Sequence, residues 1–136
     1  MTSRGSAPTE SSPTASVHLL RAGILLIGGI IAGAFGAHAM KAVLDPVGLS
    51  AFTTAAHYLL FMGAGVMGAA ASGKESGLGW VEFGTVLFSG SIFLLLWLKS
   101  MGWPHGILGP VTPIGGTFMI GGWVRWVWVL LADHRG

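Results

Sequence analysis

The sequence predicts an all-α protein: an antiparallel four-helix transmembrane bundle with a disordered N-terminal tail. The chain of 136 residues is 52% hydrophobic and only 9% charged, whereas charged residues make up about 25% of an ordinary soluble domain. So few charges could not cover a water-facing surface. Four apolar runs approach the ~20 residues that cross a bilayer as a helix.

The beginning of the chain is predicted to be a flexible polar tail, residues 1–20, ahead of a transmembrane domain formed by residues 21–136. The segment MTSRGSAPTESSPTAS is dominated by Ser, Thr, Pro and Ala. Such a segment buries too little apolar surface to offset the entropy lost on ordering. We therefore expect no stable structure in residues 1–16.

The four predicted spans are separated by charged and turn-forming residues. Arg21 and Lys41 flank the first span, and the turn LDPVGLS follows it. Ser50 is a candidate N-cap for the second span, because a hydroxyl can accept a hydrogen bond from the first turn of a helix. SGKESG and the Gly/Pro-rich KSMGWPHGILGPVTP form the later connections. The spans cover about 22–39, 51–71, 78–98 and 114–132.

The lysines and arginines predict how the bundle is oriented in the membrane. With four crossings, five of these residues lie on the side of the termini and two on the other side. Positive charge accumulates on the cytoplasmic side of membrane proteins, so both termini are predicted to be cytoplasmic. The five are Arg4, Arg21, Lys74, Arg125 and Arg135; the two are Lys41 and Lys99.

The end of the first span also resembles a signal-peptide cleavage site. Ala37-His38-Ala39 has the small-x-small pattern that follows an apolar stretch in secretory signals. Three more apolar spans follow, and the polar region before the first span is long. We therefore favour a retained transmembrane helix.

Glycine and alanine recur at helical spacing within the spans. Gly29 and Gly33 form a G-x-x-x-G pattern, Gly65 pairs with Ala69, and the third span contains Gly84 and Gly90. In lipid, small residues let helix backbones approach and gain dispersion contacts. These faces predict a tight bundle, and one of them could serve a homo-oligomer or a partner subunit.

Glu82 and Arg125 are the charges that lie most clearly within predicted spans. In the predicted topology both are close to the side of the termini, so they could form an ion pair. In the simplest alternative, Arg125 reaches the headgroups and Glu82 lies in wet interface. A third alternative is a proton or ion path, because ionisable residues inside a membrane are functional candidates.

Other chemistry is weakly represented in the sequence. There are no cysteines, and His38 and His57 without a nearby carboxylate make a poor metal site. We find no Ser-His-Asp order, paired carboxylates or nucleotide fingerprint, and a net charge of +2 without a basic cluster does not indicate nucleic-acid binding. We therefore predict a non-enzyme without a metal or cofactor.

Segments with the order and spacing of a known group identify a resemblance. They are GAFGAHAMK at 33–41, LFSGSIFLL at 87–95 and TPIGGTFMIGGW at 112–123. The chain resembles the YgdD/YwdK-like family of small, uncharacterised integral membrane proteins over roughly residues 22–131. The resemblance implies a four-helix membrane protein and favours a bacterial inner membrane as its location. It adds no mechanism.

The resemblance also points to candidate site residues. The family's second helix typically carries a tyrosine followed four residues later by a histidine. In this chain Tyr58 matches the tyrosine, and Met62 stands where the histidine is expected. The histidine of this helix, His57, instead precedes the tyrosine. The residues that we select by resemblance are Gly36, His38, Ser89, Gly90, Ser91, Pro113, Gly115 and Gly116.

Physical reasoning suggests structural roles for several of these residues. Ser89 and Ser91 can donate hydrogen bonds to backbone carbonyls within or between helices. Pro113 suits a helix start, and Gly115 and Gly116 would let another backbone pack there. We expect His38 to cap the end of the bundle against the turn at Pro113.

For function, we carry three hypotheses from different classes. The favoured one is a small accessory or assembly subunit of a larger membrane complex, which would bind partner subunits through its small-residue faces and its tail. The alternative is an oligomeric transporter for a small solute, proton or ion that uses Glu82, Arg125 and His38. A membrane enzyme is the least favoured, because the necessary groups are missing.

Overall fold

The computed structural model describes residues 12–104 and 106–135 of the chain. Each of its four long helices is long and apolar enough to cross a membrane, which confirms the predicted all-α transmembrane bundle. Short 3-10 turns at Met40–Ala42 and Gly106–Leu108 lie in two of the connections. The helices are α1 (Pro13–Ala37), α2 (Pro46–Ala71), α3 (Leu78–Ser100) and α4 (Val111–Asp133).

α1 begins earlier than the sequence analysis predicts. Ser12 is its N-cap, and the Ser12 hydroxyl accepts a hydrogen bond from the backbone N–H of Ala15. Pro13 occupies the first helical position, where its missing N–H costs nothing. Residues 13–20 are therefore helical and not part of a flexible tail, whereas residues 1–11 lie outside the described residues.

The starts of α2 and α4 also differ from the predicted ones. Asp45, and not Ser50, caps α2: its carboxylate accepts a hydrogen bond from the N–H of Gly48 at 2.7 Å, and Pro46 begins the helix. α4 begins at Val111 with Pro113 inside its first turn, where proline is tolerated. In both cases proline marks the first turn of the helix.

The helices alternate in direction, and α2 and α3 form the central pair. α1 packs along α2, α4 packs along α3, and α1 touches α3 only at a few positions. We call the end where α1 and α3 begin the terminal end, and the end where α2 and α4 begin the distal end. The buried hydrophobic cluster lies towards the terminal end and consists of Ala22, Val66, Ala69, Ala70, Leu78 and Val81.

Two glycines bring α1 and α2 into close contact. A Cβ atom added to Gly29 would lie 2.7 Å from Leu60 Cγ, and one added to Gly63 would lie 3.1 Å from the carbonyl oxygen of Ala22. Gly33, by contrast, has open space where its Cβ would be. The G-x-x-x-G face is therefore used at Gly29 and not at Gly33.

The contact between α3 and α4 is a glycine seam formed by Gly77 and Gly84 on one side and Gly122 and Gly115 on the other. A Cβ added to Gly84 would lie 2.6 Å from the carbonyl oxygen of Gly115, and one added to Gly122 would lie 2.7 Å from that of Gly77. Gly77 also has φ +93°, which favours glycine. Backbone meets backbone at both levels of the seam.

Candidate functional site

A polar cluster joins α1 to α3 at the terminal end. Glu82 on α3 is only 5% exposed. Its Oε1 atom lies 2.6 Å from Nδ1 of His18, and its Oε2 atom accepts a hydrogen bond from Arg21 at 3.1 Å. His18 and Arg21 are three residues apart on α1, so they lie on one face of that helix. We call these three residues the α1–α3 charge cluster.

The cluster neutralises a carboxylate that is buried in a membrane-spanning helix. An unpaired charge there would be costly, and the Arg21 guanidinium supplies the opposite charge directly. The Arg21 side chain is 56% exposed, so it can also reach lipid headgroups while it holds Glu82. The arrangement ties the start of α1 to the start of α3.

The pairing of Glu82 with Arg125 that the sequence suggests is wrong. Arg125 Nε donates instead to the Ser76 hydroxyl at 2.9 Å, in the connection between α2 and α3. Because α1 extends back to Pro13, it brings its own cation and imidazole to Glu82. Arg125 is exposed, as expected of an arginine that reaches the headgroups.

Further polar contacts tie the helices together at the terminal end. The Ser12 hydroxyl donates to Glu75 Oε1 at 2.6 Å, and this hydrogen bond holds the pKa of Glu75 below its usual value. Lys74 forms an ion pair with Asp133, and the Trp126 indole donates to the Lys74 carbonyl at 2.9 Å. These contacts tie the start of α1 and the end of α4 to the connection between α2 and α3.

A groove lies beside the charge cluster, between α1 and α3. Its volume is about 330 Å³. Arg21 and Glu82 line it together with the apolar residues Ile24, Phe83 and Val86. The groove therefore combines an apolar wall with a charged base.

The hydrogen bonds expected of Ser89 and Ser91 are present. The Ser89 hydroxyl donates to the Ala55 carbonyl at 2.9 Å and so links α3 to α2. The Ser91 oxygen lies 2.9 Å from the Phe88 carbonyl and 2.7 Å from the Thr112 hydroxyl, which links α3 to α4. Both serines are buried, and both hold helices together.

The selected glycines do not all pack against another helix. Gly36 faces the Phe52 ring, with 3.2 Å from an added Cβ to Phe52 Cδ1, and Gly115 belongs to the glycine seam. For Gly116, the nearest atom to an added Cβ is 4.0 Å away, and for Gly90 nothing lies within 4 Å. The close backbone approach expected of Gly115 and Gly116 is therefore made by Gly115 alone.

The expectation that His38 caps the bundle against Pro113 is wrong. His38 is an exposed residue at the C-terminus of α1, and within residues 12–104 and 106–135 its ring makes no hydrogen bond. The physical reason is the arrangement of the helices: α4 packs against α3, and α1 packs against α2. The two helix ends share a side of the bundle without packing on each other.

Glu82, Arg125 and His38 do not form one site. Glu82 belongs to the charge cluster, Arg125 binds Ser76, and His38 lies at the distal end. Among the described residues, no group of three or more His, Cys, Asp or Glu side chains could hold a metal ion. His18 was missed because it lies in the segment interpreted as a tail; the pair Ser12-Pro13, a good helix start, could have revealed it.

Comparison with known proteins places the chain in a family. Residues 32–116 match the family model described as "Protein of unknown function (DUF423)". The chain belongs to this family. The DUF423 match includes Glu82 and both buried serines, whereas His18 and Arg21 precede it. No solved structure matches the chain.

Relatives of this DUF423 chain cover most of its length and are called membrane proteins. The UPF0382 membrane protein C1782.12c of Schizosaccharomyces pombe is 39% identical over 74% of this chain and 87% of the relative. SH2409 of Staphylococcus haemolyticus is 36% identical over 68% of this chain and 76% of the relative. YwdK of Bacillus subtilis is 32% identical over 74% and 81%. These relatives confirm the family resemblance drawn from the sequence, and their names state no activity.

Met62, the residue at the position where the resemblance expects histidine, contacts α4. Its Sδ atom accepts a hydrogen bond from the Trp123 indole at 3.3 Å. The Trp123 ring also covers Gly65, where an added Cβ would lie 2.9 Å from Cζ2. In this chain the position therefore serves packing between α2 and α4.

Proposed function

We propose that this chain is a small accessory or assembly subunit of a larger membrane protein complex. The observation that carries the proposal is an outward face of α2, near the terminal end, that lacks bulky side chains. Ala64, Gly68 and Ala71 are exposed there, three or four residues apart on one side of the helix. We call these residues the small outer face of α2.

The outward face of α1 provides the contrast. It presents large aliphatic side chains, as suits contact with lipid: Leu20, Ile24, Ile27 and Ile30 are all more than half exposed. Helix–helix contacts in membranes favour small residues instead, because backbones can then approach closely. A Cβ on Gly68 would meet nothing within 4 Å, so none of the four described helices fills that space.

The buried polar groups support the same proposal, because they are occupied in holding the helices together. Glu82 binds α1, and Ser89 and Ser91 link α3 to its two neighbours. In the described residues no fully buried side-chain nitrogen or oxygen lacks a hydrogen-bond partner. This pattern favours a function on the outer surface over one in the interior.

Native mass spectrometry of the protein extracted from its own membrane in mild detergent tests the proposal. We expect a mass that fits this chain plus fixed amounts of other subunits. Gly68→Leu should remove the other subunits, whereas Ile27→Leu, on the lipid-like face of α1, should leave them in place. Recovery of the native chain only as a monomer or a homo-oligomer would overturn the proposal.

For the location, we propose a bacterial inner membrane with both termini in the cytoplasm. Among the described residues, Arg21, Lys74, Arg125 and Arg135 lie towards the terminal end, against Lys41 and Lys99 towards the distal end. Because the chain has no cysteine, single cysteines placed in the two ends can be labelled cleanly from either side. Labelling of the Ser76→Cys variant from outside intact cells would contradict the proposed orientation, because it would place the terminal end outside the cytoplasm.

A further inference from the structure

A second groove lies between α1 and α2, towards the distal end. Its volume is about 290 Å³. Gly33, Gly36 and Ala37 line its α1 side, and Thr53 and His57 line its α2 side. The groove stays open because glycine and alanine form its α1 wall, and nothing lies within 4 Å of an added Cβ on Gly33.

His57 in this groove is a polar side chain in an apolar setting. It lies eleven residues after Pro46, about 16 Å along a membrane-spanning helix, and it is exposed. Its ring contacts Phe61 at 5.7 Å between centroids, but it makes no hydrogen bond in the described part of the chain. A polar ring that faces hydrocarbon without a partner is costly, so an external group that can form hydrogen bonds is needed here.

Lys41 places a positive charge at the mouth of the same groove. The other two lysines have acidic partners, Lys74 with Asp133 and Lys99 with Asp45. Lys41 has none among residues 12–104 and 106–135. The ligand that complements the groove is therefore an anion.

A second copy of this chain does not supply that anion. Asp45 is the acidic side chain nearest in sequence to Lys41, and it is already engaged by Lys99 and by the N–H of Gly48. These contacts hold the pKa of Asp45 below its usual value, so it stays ionised and paired. A dimer through this groove would bring a second Lys41 to the first, while Asp45, the nearest acidic residue in sequence, is already paired.

We propose that this groove binds one anionic phospholipid. The phosphate lies at Lys41, an ester oxygen of the glycerol backbone accepts a hydrogen bond from Thr53 or His57 on the α2 wall, and an acyl chain passes Gly33 on the opposite, α1 wall. Thr53 lies level with Gly36, because an added Cβ on Gly36 would come within 3.9 Å of the Thr53 hydroxyl oxygen. Basic side chains in pockets between transmembrane helices attract anionic lipid headgroups.

The site is separate from the surface used in the proposed function. The lipid contacts α1 and the distal half of α2, whereas a partner subunit would contact the small outer face near the terminal end. Lipid binding and subunit binding can therefore be lost independently, and different substitutions test each of them.

Native mass spectrometry of the purified, delipidated full chain tests the lipid site. The detergent-solubilised protein is titrated with phosphatidylglycerol and, separately, with phosphatidylcholine of the same acyl chains. We expect one phosphatidylglycerol adduct to form at concentrations where phosphatidylcholine leaves the protein free. Lys41→Gln should weaken this adduct by about fivefold, the effect of one cation on an anionic lipid, and His57→Leu should weaken it as well.

Matched variants distinguish this site from general attraction to positive charge. Lys99→Gln makes the same charge change at the distal end but outside the groove, and Gly23→Leu adds the same bulk to α1 outside it. Gly33→Leu should abolish the adduct by filling the groove, while both control variants should retain it. Circular dichroism and thermal unfolding confirm that each variant is folded.

Several outcomes would overturn the lipid site. Equal retention of the two lipids, or equal weakening by Lys41→Gln and Lys99→Gln, would show that the groove does not select an anion. A dimer without bound lipid that Lys41→Gln disrupts would assign the groove to a second copy. A partner protein whose binding depends on Lys41, with no lipid adduct, would assign it to that partner.

Discussion

Nδ1 of His18 lies 2.6 Å from Oε1 of Glu82, and this contact joins the first helix to the third near the terminal end. The Glu82 side chain is 7% exposed and the His18 side chain 14% exposed. Removal of Glu82 leaves the shielded His18 ring without this partner, whereas removal of His18 leaves Glu82 still bound to Arg21.

The first prediction concerns this pair. Glu82→Ala should lower the free energy of unfolding in detergent by about 3 kcal/mol, since a buried partner is left unpaired. The double variant with His18→Ala should lose less than the sum of the single losses. Chemical or thermal unfolding of the four proteins of a double-mutant cycle measures the difference.

Arg125→Ala is the control for this cycle. Since Arg125 binds Ser76 and not Glu82, its effect should add to that of Glu82→Ala within about 0.5 kcal/mol. Strict additivity of the His18 and Glu82 substitutions, together with coupling between Glu82 and Arg125, would contradict the contacts described.

The second prediction concerns the glycine seam. Gly115→Ala would place a methyl group 2.5 Å from the backbone nitrogen of Phe88, so the helices must separate. We expect a loss of about 1–3 kcal/mol, typical of overpacking. Gly116→Ala, whose methyl group would have 4.0 Å to its nearest neighbour, should be neutral or stabilise by up to about 1 kcal/mol through helix propensity. The melting temperatures of the two variants, measured in the same detergent, test whether Gly115→Ala is less stable than Gly116→Ala.

The third prediction concerns the interhelical hydrogen bond from Ser89. Ser89→Ala removes a donor, while the Ala55 carbonyl lies within α2 and can keep its helical partner. The loss should be about 0.6 kcal/mol, the average for interhelical hydrogen bonds in membranes. Ser100→Ala is a suitable control, because the Ser100 hydroxyl donates to the Trp97 carbonyl within its own helix. A Ser89→Ala loss no greater than that of Ser100→Ala would argue against a contribution from the interhelical bond.

The fourth prediction is a dependence on pH at the start of α1. The hydrogen bond from Ser12 lowers the pKa of Glu75 from its ordinary value of 4.5. A lowered pKa in the folded state stabilises the fold above the ordinary value, and this contribution disappears as the pH falls through the lowered pKa. Ser12→Ala should raise the pKa of Glu75 towards 4.5, as followed by carboxyl NMR shifts. A titration that is unchanged in Ser12→Ala would show that the hydrogen bond does not form in solution.

The helices could be predicted from the sequence because a bilayer requires long apolar runs, and those runs are plain in the chain. The partner of Glu82 could not be predicted in the same way. His18 and Arg21 reach Glu82 only because α1 starts at Pro13, and the local composition of residues 12–20 indicates disorder more strongly than it indicates a helix. His18 is sixty-four residues away from Glu82 in sequence, so helix packing, and not local sequence, determines that the two residues meet.

The glycines show the same limit at finer scale. Their abundance correctly predicts close packing, but spacing alone does not reveal which side of a helix meets its neighbour. A Cβ added to Gly29 would collide with Leu60, whereas one added to Gly33 would meet nothing within 4 Å, although both belong to one G-x-x-x-G pattern. The crossing of α1 and α2 determines which of the two glycines packs closely against α2. His38 was misplaced for a related reason: helix ends that share a side of a bundle need not be neighbours.

The glycine seam has a mechanical consequence. Its two contact levels are seven residues apart on each helix, from Gly77 to Gly84 and from Gly115 to Gly122. If α4 slid along α3 by one turn, bulkier residues would meet backbone that only glycine can approach. The seam therefore fixes a single register of α4 along α3. A rocking of the α1–α2 hairpin against the α3–α4 hairpin is a motion that leaves this seam intact. Spin-label distances across the α3–α4 seam should stay constant in every condition that changes those between α1 and α3.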